Sequence, residues 1–203
     1  MQLPDTSHHM DVPVSHLLKT ETRTTHERLD EAIMAARPFD NTRNYSRFLR
    51  MQFALHRDVL ELYKSTELHR AIPFLGELSR YLAIKQDLDD LQVVLPDRQP
   101  GQTACVSDDF AEALGWLYVV EGSNLGAAFL FKAAAKLGLS EKFGARHLAP
   151  ASEGRAAHWR RFKASLDSIP LDKAERERTI HGARAAFSHA SALTRLYLFE
   201  RAT

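Results

Sequence analysis

The chain has 203 residues, 44% hydrophobic and 26% charged, which suits one soluble domain with a sizeable core and excludes a disordered composition. Its 27 Lys and Arg against 26 Asp and Glu leave a formal net charge of +1, and nucleic acid as the main partner would need a clear basic excess. Cys105 is the only cysteine, which excludes an intramolecular disulfide and fits a reducing cytoplasm.

Residues 1–14 read as a flexible N-terminal arm without the apolar core of a leader, and His8-His9 falls on that arm. Residues 15–203 read as one domain, with no run approaching a membrane span. Ser15 is expected to cap a first helix over 15–36, which ends at Arg37-Pro38. Asn41 or Thr42 should cap a second, to about residue 63, with Tyr45, Phe48, Gln52, Phe53, His56, Val59 and Leu60 at helical spacing. Pro73 and Gly76 separate a short turn from a helix near 77–91, and 94–107 reads as a surface loop. Ser107 or Asp108 should start a long apolar helix to about residue 137. An irregular stretch with one short helical turn follows over 138–154, then a helix over 155–168. Asp172, after Pro170, caps a last helix to about 198. No alternating strand pattern appears, so the expected fold class is all-α, a single multihelical domain.

The long apolar helix carries Gly122 and Gly126, four residues apart and therefore on one face. Each interior glycine costs about 1 kcal/mol against alanine. A chain tolerates that where a flat, bulky group must approach the backbone, or where two helices pack closely. The first helix offers a complementary pattern. His26 shares a stripe with Thr22, Leu29 and Ile33, Lys19 stands about 10 Å earlier along the axis, and Asp30 follows one turn later. A carboxylate behind an imidazole fixes its tautomer, as a metal-ligating histidine requires. A lysine two turns away suits an anionic tail on a bound macrocycle. The same three residues could equally be a half-exposed histidine among surface charges.

The two segments occur together, and together they resemble the bacterial haem oxygenases that make biliverdin. The resemblance rests on Thr25-His26-Glu27-Arg28-Leu29-Asp30 followed by Glu121-Gly122-Ser123-Asn124-Leu125-Gly126-Ala127-Ala128. It continues through Phe131-Lys132-Ala133-Ala134, Phe143-Gly144-Ala145-Arg146-His147-Leu148 and Ala157-His158-Trp159, nearly the whole chain. It implies that haem b is both cofactor and substrate, held between a proximal helix and a distal helix kinked at its glycines. His26 matches the proximal iron ligand, Asp30 the carboxylate that orients it, and Gly122 and Gly126 the distal glycines. A β-carbon there would keep bound O₂ from bending toward the ring edge.

Ser123 stands where some members carry a distal carboxylate, which puts a direct carboxylate role in doubt. Gln52 and His56 resemble the polar pair that holds distal waters in relatives. Lys19 and Tyr118 match positions that hold a haem propionate in enzymes cutting at the α-meso carbon. Lys132 matches a residue of a rotated-haem relative, whose partner lysine is replaced here by Met34. The basic run Arg155, Arg160, Arg161, Lys163 could close the propionate edge or dock an acidic reductase, and Arg160 is kept as the contact. As a charge run it could equally be a solvated face.

The reading is therefore a haem oxygenase giving biliverdin, Fe²⁺ and CO from haem and O₂. Electrons come from a ferredoxin, flavodoxin or reductase, since the chain has no nucleotide-binding glycine loop. No nucleic acid or membrane partner is expected. The alternatives are a haem-binding or delivery protein using the same His26 pocket, and a helical module whose glycines only pack helices.

Overall fold

The computed structural model describes residues 12–97, 106, 108–151 and 153–200. Cys105, Ser107 and His8-His9 lie outside the described residues. Eight α-helices appear among those described: α1 (Val14–Ala35), α2 (Thr42–Asp58), α3 (Thr66–Ala71), α4 (Leu75–Leu78), α5 (Tyr81–Asp90), α6 (Phe110–Ala135), α7 (Arg155–Asp167) and α8 (Lys173–Thr194). Short 3₁₀ turns occupy Leu60–Lys64 and Arg146–Leu148, and α8 ends in a π-helical turn over Arg195–Phe199. The fold is all-α.

α6 is the axis of the molecule. Every residue from 113 to 121 is buried, and α8 packs along this half most extensively. The crossing is close because glycines face it: a β-carbon on Gly115 would stand 2.1 Å from the Thr179 carbonyl oxygen of α8. α1 lies against α8 and α7, and α2 against α5 and α8, closing a core around Tyr45, Phe48, Leu117, Phe162 and Leu193. By length and composition α6 could cross a membrane, which corrects the expectation that no run approaches that length. Here its first half is core.

Local chemistry placed several boundaries well. Asn41 caps α2 by accepting the Asn44 N–H, and Asp172 with Glu175 forms a reciprocal capping box on α8. Arg37, in the left-handed region at φ 53°, ends α1 before Pro38.

Other boundaries differ. Ser15 lies inside α1 rather than capping it. Pro13 occupies the cap without a side-chain bond, and Asp167 of α7 accepts both the backbone N–H and the hydroxyl of Ser15. α2 stops at Asp58, whose buried carboxylate meets Arg57 and His189, instead of running to 63. The helix expected over 77–91 breaks at Ser79 and Arg80. Arg80 turns inward there, donating to the His147 and Ala149 carbonyls. α6 starts two residues later than Asp108, because Asp109 supplies the cap.

Candidate active site

A cavity of about 720 Å³ opens between α1 and the second half of α6, with α2, α7 and α8 closing its other sides. α1 faces it with one stripe: Ser15, Lys19, Thr22, His26, Leu29 and Ile33 all line it. A helix turning about 100° per residue puts these on one side, so one register sets the whole wall. The lining is predominantly apolar with polar groups at particular points, the usual make-up of a pocket for a large organic ligand.

His26 stands on the α1 wall with its side chain 55% exposed, open to a partner in the cavity. Its Nε2 lies 3.5 Å from Asp30 Oδ2, and its ring meets the edge of Phe187 at 5.7 Å between centroids. The carboxylate engages one ring nitrogen and leaves the other for a metal. That donor set suits haem iron.

On α6 the two glycines behave differently. A β-carbon on Gly126 would meet nothing within 4 Å, while one on Gly122 would touch the Trp159 ring at 3.4 Å. Neither sits at a backbone crossing, in contrast to Gly115. Both line the cavity, so the close-packing role belongs to Gly115 and the open backbone surface to Gly126. Ser123 also lines it, and its hydroxyl donates back to the Val120 carbonyl at 2.7 Å.

Gln52 and His56 lie together on the α2 wall. His56 is buried, and burial, followed by the nearby His147 and Arg80, pushes its pKa down to about 3. Its Nδ1 has no hydrogen-bond partner, nor has Nε2 of the buried His147, whose Nδ1 meets Asp87 at 2.8 Å. Orphaned buried nitrogens are rare, and both residues line this cavity, so they mark a place for small polar guests.

One end of the cavity is basic. His16, Lys19 and Arg23 come from α1 and Lys163 from α7, and the Tyr118 hydroxyl joins them. Burial, then the charge of Asp167, raises the Tyr118 pKa to about 12, so it stays a hydrogen-bond donor. Two of the expected contacts are not among the lining residues. Lys132 is exposed beyond the cavity, because α6 turns it away by the end of the helix. Arg160 is also exposed and outside; the rotation of α7 presents Trp159 and Lys163 instead. Met34 does line the cavity.

Beyond the predicted site residues, Arg80, Asn124, His147 and Trp159 line the cavity, and Lys163 is the member of the expected basic run that reaches it. Behind α6, buried Glu121 accepts hydrogen bonds from Tyr63 and, at 3.3 Å, from Asn124, while His158 Nε2 contacts it at 3.3 Å. The spacing of Trp159 and Lys163 is a legible helical signal. The Glu121 network joins residues scattered from 63 to 158 and has no local pattern.

The haem oxygenase family profile matches residues 12–195. Heme oxygenase PigA of Pseudomonas aeruginosa is 42% identical over 175 residues, covering 86% of this chain and 87% of that protein. The NO- and CO-bound heme oxygenase of Neisseria meningitidis superposes with a TM-score of 0.86 at 39% identity, covering 94% of each chain. The heme complex of heme oxygenase-1 from Synechocystis shares the fold, with a TM-score of 0.75 at 16% identity over 91% of this chain and 92% of that one. A cavity with an open imidazole on one helix and bare glycine backbone on another is thus set in a matching fold, and the chain belongs to the haem oxygenase family, enzymes that degrade haem with O₂ and a reductant.

Proposed function

We propose that this enzyme binds haem with His26 as the residue that would hold the iron, and opens the ring at the α-meso carbon, giving biliverdin, Fe²⁺ and CO. The observation that carries this reading is the shared cavity. His26 projects into it from α1, and the Gly126 backbone faces it with nothing within 4 Å of a β-carbon position. The haem supplies reduced iron able to react with O₂ and the ring that is cut.

The protein's residues do the rest. Asp30, whose Oδ2 lies 3.5 Å from His26 Nε2, orients the imidazole toward the iron. Gly126 would leave room for O₂ beside the backbone, and Gly122, set against Trp159, would keep the neighbouring turn of α6 free of a side chain. Gln52 and the neutral His56 hold water that delivers protons without placing a strong acid beside the oxygen. Ser123, with its hydroxyl returned to Val120, offers only an oxygen surface.

The α preference comes from the basic end. Lys19 attracts a propionate by charge and Tyr118 donates a hydrogen bond to it. Lys132, outside the cavity, offers no competing anchor, and Met34 occupies the position of its expected partner. A difference of about 1.4 kcal/mol between seatings already gives a tenfold product ratio. Electrons would arrive from a separate ferredoxin, flavodoxin or reductase, in the cytoplasm. Haem titration followed by ascorbate and chromatography of the pigment tests the reading: biliverdin IXα as the main product supports it, and a dominant β or δ isomer overturns the Lys19–Tyr118 seating.

A further inference from the structure

Trp159, Lys163 and Asp167 recur every fourth residue of α7, so they run along one side of it. The first two line the cavity. Asp167 reaches past it to the start of α1, where Oδ1 accepts the Ser15 N–H at 2.8 Å and Oδ2 accepts the Ser15 hydroxyl at 2.8 Å. α1 has no side-chain cap of its own there. Its first-turn donors need partners, and a carboxylate is the favourable group at the positive end of a helix. Asp167 therefore supplies from another helix what the local sequence lacks.

Ser15 begins the stripe that carries Lys19 one turn later and His26 about two turns after that. Across from it, the Tyr118 ring lies 5.3 Å from Trp159, Lys163 Nζ stands 6.0 Å from the same indole, and Asp167 is near enough to Tyr118 to help raise its pKa. The bond pair at Ser15 thus joins the two walls that carry the cavity's basic groups.

Resting on the reading of this cavity as the haem site, we propose that Asp167 is a positioning residue for substrate seating. By clamping the first turn of α1 to α7 through Ser15, it fixes Lys19 relative to Lys163 and Tyr118. That spacing sets the in-plane rotation at which the porphyrin carboxylates are received. Asp167 does not touch the substrate. Without the clamp the first turn frays, Lys19 sweeps a wider arc, and two rotational seatings come closer in energy, while His26, three turns along, keeps its place.

The test uses Asp167→Ala, Asp167→Asn and Ser15→Ala in the full chain. Proton NMR of the haem methyls in the cyanide complex counts the seatings, the absorption spectrum reports the iron ligand, and amide exchange of the haem-free protein reads the clamp. Asp167→Ala should raise the minor seating, and its product isomer, by about fivefold or more. The imidazole-type spectrum should stay, and the Ser15 amide should exchange faster. Asp167→Asn and Ser15→Ala, each keeping part of the contact, should shift the seating the same way by less. Unchanged seatings alongside faster Ser15 exchange would overturn the proposal, leaving a merely structural cap, and so would unchanged exchange. If Asp167→Ala does not fold, the shift in Ser15→Ala decides. Failure of the parent protein to bind haem would instead overturn the reading of the cavity, a result distinguishable because the amide exchange is read without haem.

Discussion

Gly115 and Gly182 face each other where α6 crosses α8: a β-carbon on Gly115 would stand 2.1 Å from Thr179 O, and one on Gly182 would stand 2.1 Å from Glu112 O. The obstacle in both cases is backbone, which cannot swing aside. Gly115→Ala should therefore cost about 3 kcal/mol or more despite its gain in helix propensity. For a chain of this size that lowers the melting temperature by about 6–12 °C, readable by calorimetry.

Gly126→Ala should do the reverse. Its β-carbon meets nothing, so stability should hold or rise by up to about 1 kcal/mol. Gly126→Leu should still bind haem but fill the space above it, diverting turnover to unproductive complexes. Parent-rate biliverdin formation by Gly126→Leu would sink the close-approach account.

His26→Ala should abolish the imidazole-type ferric spectrum and turnover of the haem complex. The cavity beside it is open, so added imidazole should enter and restore part of both. An unchanged spectrum would move the ligand elsewhere, with His56 the next histidine on the wall.

The pH dependence of stability should carry the signature of His56. Its folded pKa of about 3 lies below the ordinary value of 6.5, so in the interval between them the unfolded chain binds a proton that the folded chain refuses. Stability is then complete above 6.5 and falls as the pH drops toward 3. From pH 7.5 to 5.5 this one residue should account for about 1 kcal/mol. His56→Gln should flatten the melting temperature across that interval, leaving the slope due to His147, whose burial shifts it in the same direction.

What could be read from the sequence was what is local. Asn41 and Asp172 sit within three residues of the N–H groups they cap. The cap of α1 could not be read, because Asp167 lies 152 residues from Ser15. The stripe from Lys19 to His26 was legible for the same reason as the caps: helical periodicity alone aligns it. Periodicity does not say how a helix is rotated about its axis once packed. Arg160 and Lys163 are three residues apart in the same charge run, and only the packing of Trp159 and Phe162 inward decides that Lys163 reaches the cavity. The place of Lys132 off the cavity lining is set by packing in the same way, and the Arg80 break depends on carbonyls near residue 148 that no nearby residue announces.

The two halves of α6 differ in what holds them. Residues 113–121 are buried throughout, while Ser123, Leu125, Gly126, Ala128 and Phe129 are exposed beside the cavity. Local opening costs little where few apolar contacts must be broken, and up to the full unfolding free energy where many are. The helix is one secondary-structure element that should open as two cooperative units. Amide hydrogens of the first half should exchange only with global unfolding, and those around 123–129 through a cheap, separate opening. Haem, by filling the space against this second unit, would close it, so part of its binding energy is spent on ordering the same backbone that O₂ must approach.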